Sequence, residues 1–143
     1  MEKIPILKFG DTLIVTIQTE LHDRAANALQ DDVLTNIQKY GSHAVIIDIS
    51  SLEIVDSFIG RMLSNTAEMA SLMNATVVLV GISPAVAITL VELGLDLGDV
   101  RTALDLENAI ELLSESDTEY FKSIKTDKAI NEEPQESESD ELD

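Results

Sequence analysis

The chain has 143 residues, about one domain's length, and carries 27 acidic against 9 basic side chains for a net charge of −18. Such a surface repels nucleic-acid phosphates and anionic lipid, so neither nucleic acid nor a membrane is expected as a partner. The absence of cysteine excludes disulfides, thiolate catalysis and cysteine-ligated zinc.

Ile4 to Lys8 and Thr12 to Gln18 read as two strands, with a turn signal at Gly10-Asp11 that makes them a hairpin. Asp23 is placed as the cap of a helix reaching about Tyr40, because Leu29, Val33, Ile37 and Tyr40 fall on one helical face. Gly41 follows in the position of a C-cap glycine. The apolar run Ala44 to Ile49 has the character of a strand covered on both faces.

A second helix fits Ser57 to Met73, with Phe58, Met62, Met69 and Met73 near one face and Ile59, Leu63 and Ala70 beside them. Thr76 to Val80 is another buried-type strand, closed by Gly81. Ser83-Pro84 opens a short helix, serine as cap and proline in its first position, that ends at Gly94. Thr102-Ala103 reads as a brief edge strand, and Asp105 as the cap of a last amphipathic helix through Ala109, Ile110 and Leu113. Helices alternating with strands predict parallel pairing through right-handed crossovers. The expected fold is α/β, a small mixed sheet of about five strands flanked by about four helices.

Charge divides the chain. From Ser114 to Asp143 there are 11 acids and 3 lysines, with too few apolar residues for a core. The expected division is a folded domain over residues 1–115 and an acidic, largely disordered tail over 116–143, with a short helix near Tyr120 to Ile130. Met1 to Pro5 shows neither the apolar run nor the cleavage site of a signal peptide, and no run of apolar residues is long enough to span a bilayer. A cytoplasmic protein is expected.

Enzyme signatures are missing. There is no glycine-rich phosphate loop and no G-x-G-x-x-G. His22 and His43 have no metal-ligand partner at helical spacing, and no nucleophile elbow surrounds any serine. Asp48 and Asp56 are suggestive of a phospho-acceptor pocket, but such a pocket needs a lysine and none occurs between Lys39 and Lys122. No catalytic residue, cofactor or metal is assigned.

Ser57 is the informative residue, with two readings. One is an N-cap whose hydroxyl satisfies a backbone N–H of the helix. The other is a switch: a phosphate there adds about −1.5 to −2 charge to the surface without breaking the fold.

The segments Ile46 to Ile49 and Val55 to Gly60 resemble the phospho-acceptor region of STAS domains, the sulfate-transporter and anti-sigma-factor-antagonist family. Ile4 to Lys8, Ser71 to Met73, Gly81 to Ala87, Glu92 to Gly94 and Ala103 to Glu107 resemble, in order, the RsbS-type subunit of the bacterial stressosome. The resemblance implies a non-enzymatic scaffold that co-assembles with a sensory STAS paralogue and sequesters a switch serine/threonine kinase. It implies phosphorylation of Ser57 by that kinase, release of the kinase to a downstream pathway, and reset by a cognate phosphatase. Where related domains carry a second acceptor, a threonine before the strand-end glycine, this chain has Val80. Two other readings are a stand-alone anti-sigma-factor antagonist and a small-ligand-binding α/β domain whose site gathers Asp48, Asp56 and Ser57 at the strand ends.

Overall fold

Strand β1 (Ile6–Phe9) turns back on β2 (Thr12–Thr16) through Gly10, whose φ of +60° is the conformation the tight turn demands of its first central residue. The computed structural model describes residues 4–18, 20–94 and 100–114. From β2 the chain alternates: α1 (Asp23–Tyr40), β3 (Ala44–Asp48), α2 (Ser57–Leu72), β4 (Thr76–Val80), α3 (Pro84–Glu92) and β5 (Val100–Ala103). A further helix, α4, begins at residue 106 and is described to residue 114. Residues up to Ala109 form one compact unit; of the second, which begins at Ile110, the described residues are helical. The expected tail over 116–143 and the helix near Tyr120 lie outside the described residues.

The sheet has five strands in the order β1-β2-β3-β4-β5, antiparallel at β1–β2 and parallel thereafter. Each parallel crossover moves one strand in the same direction, so right-handed connections place α1, α2 and α3 on one face. The core follows from this arrangement. Leu13, Val15, Val45, Ile47, Val77 and Leu79 share that face of the register. They pack with Ala26, Leu29, Val33 and Ile37 of α1, Ile59, Met62, Leu63, Ala67 and Ala70 of α2, and Val86 and Leu90 of α3. Each such large side chain withdrawn from water contributes roughly 1.5–3 kcal/mol before the entropy of ordering is counted. On the opposite face Ile46, Val78 and Val80 are buried too, which is why β3 and β4 lack the alternation of a half-exposed strand.

The helix ends depart from expectation. Asp23 is the first residue of α1; the cap position belongs to His22, whose side chain makes no capping bond. Asp23 instead contributes a favourable charge in the first turn. Tyr40 lies outside the core, exposed, with the ammonium groups of Lys8 and Lys39 at 5.6 and 5.2 Å from its ring centroid. At α2 the cap is Asp56 and not Ser57. Met69 is half-buried and Met73 exposed, so the buried stripe of α2 runs instead through Ile59, Met62, Leu63, Thr66, Ala67 and Ala70. Ser83 caps α3 as expected, its Oγ accepting from Val86 N at 3.2 Å, and Asp105 caps α4 through Asn108 N at 2.9 Å.

Candidate functional site

Because α1, α2 and α3 each follow a parallel strand, their N-termini gather at the carboxyl edge of the sheet. The loop from β3 to α2 is built there. Ile49 N donates to Val80 O at 3.0 Å, carrying the β3–β4 ladder one residue further, and Leu52 N then closes a turn onto Ile49 O at 3.0 Å. The Asp48 carboxylate accepts from Ser50 N at 2.9 Å. Leu52 and Val55 are buried and pin the loop to the core, whereas Ile54 between them is 71% exposed. Glu20, from the β2–α1 connection, reaches across to accept from Glu53 N at 3.3 Å.

Beneath the loop runs the end of β4. Gly81 has φ +78°, and a Cβ there would lie 2.6 Å from Ser50 Cβ and 3.0 Å from Asp48 Oδ1. Only glycine permits that approach. Gly81 therefore sets how closely the β3–α2 loop sits on the strand ends.

At the start of α2, Asp56 Oδ1 accepts from Ile59 N at 2.9 Å, and Asp56 O accepts from Gly60 N at 2.9 Å. Ser57 occupies the first helical position and is half-buried; its hydroxyl engages no group among the described residues. Phe58 beside it packs partly against the core. Ser83, the next serine along this edge, differs: its hydroxyl is committed to capping α3.

The sequence-derived residues are thus brought to one edge but do different work. Asp48 and Asp56 hold backbone N–H groups of the loop and helix, which is a structural task for each carboxylate. Among the described residues no group of three or more histidine, cysteine or carboxylate side chains could hold a metal ion. His43 lies at the opposite, amino edge of β3, where its Nδ1 is 2.6 Å from Asp11 Oδ2 and its N–H donates to Asp11 O at 3.0 Å. Sequence reasoning missed Glu20, whose partner is 33 residues away, and the tight seat of Gly81. Among the described residues, no helix is long and apolar enough to cross a membrane.

The STAS domain family matches residues 3–109. A solved RsbS from Moorella thermoacetica, carrying a serine-to-glutamate substitution, is similar with a TM-score of 0.74 at 39% identity, over 82% of this chain and 99% of its own. A chain in the solved architecture of the stressosome, described as a signal integration and transduction hub, is 43% identical with a TM-score of 0.69, over 78% and 96%. The RsbT co-antagonist protein RsbRA of Bacillus subtilis (strain 168) is 33% identical over 99 residues, 69% of this chain but 35% of that protein. RsbRD of the same organism is 27% identical over 107 residues, 38% of its length, so the chain spans little more than a third of these curated relatives. The match covers the first compact unit from the β1–β2 hairpin to the opening turn of α4: the chain belongs to the STAS domain family.

Proposed function

We propose that this chain is a scaffold and kinase-sequestering antagonist subunit of a stressosome, switched by phosphorylation of Ser57. It is not itself an enzyme in this reading. It co-assembles in the cytoplasm with a sensory STAS paralogue, holds a switch serine/threonine kinase, and releases it on modification. A cognate phosphatase restores the starting state.

One observation carries the reading. With Asp56 performing the cap, the Ser57 hydroxyl is left without a partner among the described residues at the rim of the sheet, three residues from the exposed Ile54. An acceptor hydroxyl with no structural bond to break can be modified without loss of the fold. Ser57 Oγ attacks the γ-phosphorus of ATP, the bond to the ADP oxygen breaks, and the hydroxyl proton passes to the kinase. The similarity to RsbS and to a stressosome chain supports the setting.

The test is incubation with the cognate kinase and radiolabelled ATP, beside co-expression with the sensory paralogue. Label confined to Ser57, lost in Ser57→Ala, and a large mixed particle are expected. Label elsewhere, or no co-assembly, would sink the reading.

A further inference from the structure

α2 carries only two charged side chains, Arg61 and Glu68. Arg61 is exposed and holds no hydrogen bond or ion pair among the described residues. Its helical neighbours at three and four residues are Ser57, Phe58, Ser64 and Asn65, none of them acidic. In a helix, side chains four apart stand about 5–6 Å from one another at Cβ, and the acid-first order is the favourable one. A phosphate on Ser57 would be the one anion that helical spacing brings to Arg61. At this helix start Ile59 N is already held by the Asp56 carboxylate and Gly60 N by Asp56 O.

We infer that Arg61 is the receptor for a phosphate on Ser57, a one-turn phosphate–guanidinium latch on the outer face of α2. The inference rests on the reading of Ser57 as the acceptor. Guanidinium suits this role, since its planar fork donates two parallel bonds to phosphate oxygens. The modification then changes the surface twice. It adds a dianion, and it withdraws the exposed cation that an acidic partner group would otherwise meet.

Phosphoserine installed at position 57 of the full chain during translation makes the test independent of any kinase. Phosphorus NMR then follows the second ionisation of the phosphate in the wild-type chain and in Arg61→Gln. The wild-type phosphate is expected to ionise about half a pH unit lower, roughly a threefold change in its ionisation constant. Coincident titration curves would overturn the latch. A second arm needs no substitution: the Arg61 side-chain nitrogen resonances are expected to move when the phosphate is present, and unmoved resonances would equally overturn it. Either negative result leaves the kinase-labelling test of Ser57 standing, whereas failure of labelling leaves these curves unchanged.

Discussion

Asp56 and Ile59 are joined by a carboxylate-to-amide hydrogen bond of 2.9 Å that closes the first turn of α2. That bond assigns the capping task to the residue before Ser57. Replacing Asp56 with alanine should cost about 1 kcal/mol of unfolding free energy in a urea melt, with most of it recovered in Asp56→Asn. A melt unchanged by Asp56→Ala would show that the cap contributes nothing.

Ser57 and Ser83 should separate cleanly. Ser57→Ala removes a hydroxyl that has no partner among the described residues, so stability should move by less than about 0.5 kcal/mol while phosphate labelling disappears. Ser83→Ala removes the cap of α3 and should cost about 1 kcal/mol with labelling intact. Measuring both quantities on both variants checks the assignment, and the reverse pattern would refute it.

Gly81 offers a sharper test of the loop's seat. Gly81→Ala introduces a Cβ 2.6 Å from Ser50 Cβ and forces a non-glycine residue to φ +78°, so a loss of about 1–3 kcal/mol is expected. In a Ser50→Gly background the 2.6 Å contact is removed and the loss should shrink, while the 3.0 Å approaches to Asp48 Oδ1 and Ser50 Cα and the backbone part remain. Strict additivity of the two substitutions would mean that the contact is not what makes the glycine necessary.

Ile54 stands 71% exposed between the buried Leu52 and Val55. Ile54→Asp should leave the melting curve within about 0.5 kcal/mol of wild type, because little apolar surface is lost to water. Retention of the switch kinase by the assembly should nevertheless weaken, as read in a pull-down. Undiminished retention would remove Ile54 from the kinase-facing surface.

Much of this architecture can be read without coordinates, for physical reasons that also explain the misses. The runs at β3 and β4 are apolar throughout because both faces of the central strands are buried, and that pattern survives in one dimension. Ser83-Pro84 marks α3 because a cap and a fixed φ coincide. The α2 start is different. Asp56 and Ser57 are both good caps and stand side by side, so propensity cannot choose between them; the choice is made by Leu52 and Val55, which set where the chain enters the helix. The same one-residue ambiguity misplaced the start of α1, where the cap position carries no capping side chain at all. Glu20 and Glu53 meet only because neighbouring strands end at the same edge, which no local pattern records.

The strand order has a kinetic consequence. Every strand pairs with its sequence neighbour, so no segment must await the arrival of a distant one. Each crossover closes a loop of a few tens of residues, and the entropy lost grows only with the logarithm of that length. Such a topology has a modest contact order and can assemble by accretion, one β-α-β unit laid beside the last. The hairpin and the β2-α1-β3 unit precede the rest of the sheet in the chain, so they can form first and offer an edge on which each later unit is laid.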